Sequence, residues 1–359
     1  MKYTEGAQVS WTIEKFMEIA TGYWPASVIS ASVQLGLFDT LEGRGSTAGE
    51  AASKLGTAPV HTAELLDALV ALDVLEKWTE TGRSTVQDPL YRLKPSAAQF
   101  LTRSGTCCIL DALRYNVDLY PLWGRLAECV KNGKPVIPVG AHLGGDPERT
   151  RRFALGMHSR ALAMAPILIP ALDMKGRSRL LDIACGPGTF STQLAEKYPC
   201  LEVTLFDLAP VLDVARTLVS SRPCASRVMF EPGDYHSDPL PQGFDAVLYS
   251  GALHQEDPEF AASLFKKIFE TMEPGGRVFV VDMMLQAGRT EPVFSILFSI
   301  NMMLTSPDGH VYSEDTVRSL LTKAGFEETN CKRLADCPYW IVTADKPPFS
   351  RLPPPGRQA

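Results

Sequence analysis

The segment Leu180-Leu181-Asp182-Ile183-Ala184-Cys185-Gly186-Pro187-Gly188-Thr189-Phe190 restricts the possible folds more than any other part of the chain. An apolar strand carries an acid near its end, and a loop of small residues then opens a helix. Small residues let the backbone approach a ligand or a neighbouring strand closely. This is the first strand–loop–helix unit of an open α/β sheet. The alternation continues from residue 169 to 346, with strands predicted at Arg179–Ile183, Glu202–Phe206, Val228–Glu231, Ala246–Tyr249 and Arg277–Asp282. Apolar strands alternating with amphipathic helices predict a Rossmann-like parallel sheet. Asp182, Asp207 and Asp234 fall at or just after the ends of three successive strands, along the edge where such sheets bind ligands.

The acids and the glycines together say which kind of nucleotide suits that edge. A dinucleotide site needs G-x-G-x-x-G with pyrophosphate at the helix N-terminus. Here the third glycine position holds Ser191, and the Asp182 carboxylate would repel a pyrophosphate. S-adenosylmethionine has no phosphate and carries a sulfonium and an ammonium, so an acid beside the loop suits it. Asp207 in Phe206-Asp207-Leu208 is placed to accept both ribose hydroxyls. Asp234 in Gly233-Asp234-Tyr235 is placed to meet the adenine amino group, with Tyr235 as an apolar wall. Each carboxylate alone could equally be a loop acid or a helix cap; the conjunction with the glycine loop favours the cofactor.

Upstream, residues 1–105 read as a small helical domain. Val28, Ile29, Val33, Leu35, Leu37 and Phe38 recur at helical spacing. Thr47-Ala48-Gly49-Glu50 is a capping box for a short helix that Gly56 ends. A second helix is predicted from Pro59 to Leu72, then two short strands, Val74–Trp78 and Tyr91–Leu93, around a polar turn. That is winged-helix order. Between Ser46 and Lys77, however, two basic residues (Lys54, Lys77) face five acidic ones, the wrong sign for a phosphate-facing surface. The module is expected to serve protein–protein contact, and no nucleic-acid partner is expected. Residues 106–168 read as connecting helices with a Gly- and Pro-rich loop around 136–146, and residues 347–359 as an extended Pro-rich tail.

Eight cysteines without any C-x-x-C pair, and an N-terminus with no basic–apolar leader, predict free thiols in the cytoplasm. No run approaches the roughly 20 apolar residues of a bilayer span, so no membrane partner is expected. A net charge of −6 also argues against a dominant nucleic-acid-binding surface.

Taken as a set, these motifs resemble those of the two-domain small-molecule O-methyltransferases, the group of caffeic acid and acetylserotonin O-methyltransferases, over roughly residues 10–345. Asp182, Ala184, Cys185, Gly186 and Gly188 stand at the family's D-x-G-G-G-x-G positions, with Ala184 and Cys185 replacing two glycines. Phe206-Asp207-Leu208, Gly233-Asp234, Glu273-Pro274-Gly275-Gly276-Arg277 and Leu35-Gly36-Leu37-Phe38-Asp39 match further family motifs. The resemblance implies a winged-helix-like dimerisation domain intertwined in a homodimer, and a Rossmann-like S-adenosylmethionine-dependent methyltransferase domain. The implied cofactor set is Asp182, Ala184, Gly186, Gly188, Asp207, Leu208, Asp234, Tyr235 and Ser250, with S-adenosylhomocysteine as product.

The resemblance also makes His254 the catalytic base, following the fourth strand. The family acid after that histidine is Gln255 here, the acid closing the fifth strand is Asp282, and a second family glutamate aligns with Val311. Asp282 is therefore the expected partner of His254. The alternative is a structural histidine that caps a helix or fixes the cofactor loop. Met157, Phe294, Phe298, Asn301 and Met302, with Tyr23 and Trp24, would line the acceptor pocket, Asn301 resembling a family substrate-binding asparagine. Met and Phe at helical spacing are also ordinary core residues. His254 and His310 could be read as metal ligands, but the residue beside His254 is Gln255 rather than a carboxylate, and no metal is expected. The expected reaction is methylation of a hydroxyl on a small, largely apolar or aromatic metabolite of secondary metabolism. C- or N-methylation, a non-methylating hydroxylase or decarboxylase that binds the same cofactor, and a DNA-binding regulator remain as competing readings.

Overall fold

The computed structural model describes residues 11–78, 88–137, 146–335 and 337–348. The polar turn predicted before Leu90, most of the Gly- and Pro-rich loop, and nearly all of the Pro-rich tail lie outside the described residues. The chain forms two compact units, one up to Tyr120 and one from Pro121.

The first unit holds α1 (Ile13–Ala20), α2 (Tyr23–Leu35), β1 (Ser46–Thr47), α3 (Ala48–Leu55), α4 (Pro59–Ala71), β2 (Leu75–Trp78), β3 (Leu90–Leu93), α5 (Pro95–Leu101) and most of α6 (Leu110–Trp123). Both halves of the Thr47–Glu50 capping box form, and Gly56 closes α3 at φ 66°. The wing is an antiparallel sheet in the order β1-β3-β2. Its core joins Leu37, Phe38 and Leu41, from the Leu-Gly-Leu-Phe-Asp motif onward, to Leu66, Leu69, Leu75 and Tyr91.

The second unit continues with α7 (Leu126–Asn132), α8 (Pro147–Ala171), β4 (Arg179–Ile183), α9 (Thr189–Lys197), β5 (Glu202–Asp207), α10 (Ala209–Val219), β6 (Val228–Pro232), β7 (Phe244–Ser250), α11 (Pro258–Thr271), β8 (Met272–Asp282), α12 (Val293–Thr305), α13 (Glu314–Ala324), β9 (Glu327–Arg333) and β10 (Trp340–Asp345). The sheet order is β6-β5-β4-β7-β8-β10-β9. All five predicted strands are present and mutually parallel. Two further strands, β9 and β10, extend the sheet; β10 is antiparallel to both of its neighbours. The chain moves from β4 out to β5 and β6, then crosses to β7 on the other side of β4. This topological switch opens a crevice at the C-terminal ends of β4 and β7. The two sheet faces bury separate cores, one with α8, α9 and α10 and one with α11 and α13.

One expectation needs correction. By length and composition α8 is apolar enough to cross a membrane, with a mean hydropathy of 1.2 over its best window. His158 and Arg160 interrupt its apolar residues, so the sequence holds no unbroken apolar run there. In the fold one side of it is buried, through Ala154, Ala161, Ala165, Leu168 and Ile169, with the last three in the core shared with α9 and α10.

Candidate active site

The loop after β4 turns through three left-handed residues. Ala184, Gly186 and Gly188 have φ of 53°, 55° and 68°, the left-handed region. A Cβ on Gly188 would lie 2.5 Å from Leu205 Cδ1 of β5, which together with the left-handed φ favours glycine there. A Cβ on Gly186 would meet nothing within 4 Å, so this glycine opens onto free space beside the strand ends. Gly233 is fixed by close approach as well, since its Cβ would lie 2.5 Å from the Phe206 ring.

The three carboxylates have different surroundings. Asp182 is 3% exposed, and its Oδ2 accepts the Ser191 hydroxyl at 2.6 Å. Asp207 accepts the N–H groups of Gly186 (2.8 Å) and Leu208 (2.7 Å). Burial pushes Asp182 up to about 7 and Asp207 up to about 6, and neighbouring carboxylates push the same way. Burial also raises Asp234, but the N–H and imidazole of His236 outweigh it and hold this acid below the usual range. Tyr235 is not simply a wall: its phenol donates to Glu256, and its ring packs against the core that includes Tyr249. Ser250 ends β7, half-buried.

These residues fit S-adenosylmethionine. Two buried, electrically uncompensated acids at adjacent strand ends are short of positive charge, and the ligand's sulfonium and ammonium supply it. The open side of Gly186 gives room for the nucleoside's approach. Asp207 keeps a spare lone pair on each oxygen for hydroxyl donors.

His254 follows β7 in a single 3-10 turn and is 7% exposed. Its Nδ1 lies 2.7 Å from Asp282 Oδ1, and its main-chain N–H donates to Asp282 Oδ2 at 3.2 Å. The N–H of Met283 donates to Oδ1 at 2.7 Å, so a fully buried carboxylate at the end of β8 is held from three sides. An Nδ1–H directed at Asp282 leaves Nε2 as the basic nitrogen. Val311, at the family's second glutamate position, is fully buried. Among the described residues, no group of three or more potential metal ligands exists.

On α12, Phe298 places its ring 4.8 Å from His254, edge to face, and lies parallel to Phe294 at 6.3 Å. Asn301 accepts the Trp123 indole N–H at 3.2 Å. Met302 is 8% exposed, while Met157 is half-buried on α8. Thus Phe294, Phe298 and His254 are brought together, and Asn301 is tied to Trp123. Tyr23 and Trp24 lie exposed at the start of α2 in the first unit. Sequence reasoning missed the holders of these groups. Ser191 fixes Asp182, Thr189 pairs with His158 Nδ1 at 2.8 Å, and Glu256 and His236 brace the loop after β6. The acid Glu256, two residues past His254, was the visible signal for the last pair.

Comparison with known proteins identifies the family. The O-methyltransferase domain matches residues 123–327, and the O-methyltransferase dimerisation domain matches residues 17–103. The chain is 30% identical over 316 residues to the tetracenomycin polyketide synthesis 8-O-methyl transferase TcmO of Streptomyces glaucescens, covering 87% of this chain and 91% of TcmO. It is 29% identical over 341 residues to the N,N-dimethyltransferase OxyT of Streptomyces rimosus, covering 92% and 96%. The fold superposes on human N-acetylserotonin methyltransferase in complex with SAM with a TM-score of 0.86 at 24% identity, over 95% of this chain and 99% of that one. The chain belongs to the two-domain, S-adenosylmethionine-dependent O-methyltransferase family.

Proposed function

We propose that this enzyme methylates a hydroxyl of a small aromatic or polyketide-like metabolite, with His254 as general base and Asp282 as its positioning partner. The observation that carries the reading is the His254–Asp282 pair at 2.7 Å, with the Phe298 ring 4.8 Å from the imidazole. S-adenosylmethionine supplies a methyl group on an already activated sulfonium leaving group. What the chain must do is orient the acceptor, exclude water and receive the hydroxyl proton. Phe294 and Phe298 offer a flat apolar face for an aromatic acceptor. His254 Nε2 takes the proton, and buried Asp282 holds the tautomer and balances the imidazolium charge. Asp207 would hold the ribose, Asp234 the adenine, and Asp182 the cationic end of the cofactor, with Ala184, Gly186, Gly188, Leu208, Tyr235 and Ser250 around it. Met157, Asn301 and Met302 complete the proposed acceptor side.

His254→Ala is expected to lower kcat by about 10²-fold or more, as removal of a general base does. Affinity for S-adenosylhomocysteine, read by calorimetry, should hardly move. A turnover loss below about threefold would transfer the histidine to a structural role. It would also favour a second reading, methylation of an already nucleophilic nitrogen. That reading draws on Gln255 and Val311, which leave His254 one carboxylate partner, and on the likeness to OxyT. We further infer a cytoplasmic homodimer acting on a small molecule; all eight cysteines are free, as a reducing setting would keep them.

A further inference from the structure

The loop after β6 carries a chain of charged groups that methyl transfer itself does not use. Asp234 Oδ1 accepts the main-chain N–H of His236 at 2.9 Å and lies 3.0 Å from its Nδ1. The other ring nitrogen, Nε2, is 3.1 Å from Oε2 of Glu256. Glu256 is 5% exposed, and its Oε1 accepts the Tyr235 phenol. The imidazole stacks on Tyr235 at 4.3 Å and on Phe260 at 4.5 Å. Lys267 holds the carbonyls of Tyr235 and Asp238, and Asp238 accepts the Asp234 N–H at 2.8 Å. A neutral imidazole donates from one nitrogen and shows a lone pair on the other. With a carboxylate oxygen at each nitrogen, both contacts are satisfied only by the imidazolium. Glu256 first and Asp234 next raise the His236 pKa against the effect of burial.

We propose that His236 is a positioning residue for cofactor recognition: anchored on buried Glu256, it holds the Asp234 carboxylate in the orientation that accepts the adenine amino group. The proposal rests on the assignment of Asp234 to adenine, and the test separates the two. Calorimetric titration of the full-length enzyme with S-adenosylhomocysteine would compare wild type, His236→Phe, Asp234→Asn, Asp234→Ala and the double variant of the first two substitutions. Phenylalanine keeps the stacking and removes the clamp. His236→Phe should weaken affinity by about threefold to tenfold, the scale of ordering one side chain. The loss should fall on KM for S-adenosylmethionine rather than on kcat, and it should vanish in the Asp234→Asn background. Asparagine keeps an acceptor oxygen, so the adenine assignment fails if both Asp234→Asn and Asp234→Ala bind as wild type does. If either Asp234 variant weakens binding while His236→Phe has no effect, or an additive one, the clamp fails and the assignment stands. Should His236→Phe not fold, the ring ¹⁵N shifts of His236 in the wild type decide. Two protonated nitrogens at neutral pH are expected, and a single one overturns the proposal.

Discussion

At the scale of single residues, the substitutions in the glycine loop separate what is costly from what is neutral. Ala184 stands where the family has glycine and adopts φ 53°. A left-handed L-residue costs roughly 1–2 kcal/mol. Part of that is returned, because Ala184 packs against the core below the sheet edge. Ala184→Gly is therefore expected to stabilise the methyltransferase unit by about 0.5–1 kcal/mol, less than the full penalty because glycine also gains freedom in the unfolded chain. Thermal melting would register this as a rise of a few degrees. An unchanged or lower Tm would mean that the Ala184 methyl contributes as much as its backbone strain costs. That Ala184 replaces a glycine is visible in the sequence; that this position needs a positive φ is not. The same division holds across the site. The placement of Asp182, Asp207 and Asp234 along one sheet edge was legible because each ends or follows a strand. Ser191, His236 and Glu256 were not, because their roles depend on distances across loops that no local pattern encodes.

At the scale of elements, the five parallel strands were legible to within a few residues because each is an apolar run bounded by turn residues. β9 was missed because Glu327–Arg333 shows no apolar alternation: it is an edge strand, largely solvated. Trp340–Asp345 is a short apolar run beside the Pro-rich tail, and only its pairing with β8 identifies it. The placement of acids on neighbouring strands has a measurable consequence. Asp182 near the end of β4 and Asp207 at the end of β5 are raised to about 7 and about 6, mainly by burial. Between the ordinary carboxylate pKa and these values the two acids bind more protons in the folded than in the unfolded chain, so their contribution to stability falls as pH rises from about 4 to about 7. A cationic ligand reverses the preference by stabilising the ionised acids. The enzyme without ligand should therefore lose thermal stability from pH 5 to pH 8. S-adenosylmethionine should bind more tightly as pH rises through 6 and 7, and should give its largest stabilisation above pH 7. A Tm for the ligand-free enzyme that rises over that interval would contradict the assignment of both carboxylates as uncompensated.

At the scale of the whole molecule, the first unit leaves apolar side chains of its N-terminal helix exposed. None of the eight residues of α1 is buried; Ile13, Phe16, Met17 and Ile19 are 46–85% exposed, and Trp11 stacks on Phe16 just before and within the helix. Among the described residues, nothing covers the apolar stripe of this helix. The dimerisation-domain match begins at residue 17, on this same helix. A second copy of the chain is the occupant that both observations favour, and apolar faces of this kind are what permanent homodimers bury. Light scattering at micromolar concentration is expected to give twice the chain mass. Ile13→Glu together with Phe16→Glu should shift it to the single-chain mass, because two carboxylates would have to be desolvated in each subunit. Every residue proposed for the cofactor lies in the second unit. The dissociated variant should therefore still bind S-adenosylhomocysteine, and separate assays of mass and binding can distinguish loss of assembly from loss of fold. A two-chain mass that survives both substitutions would remove α1 from the interface.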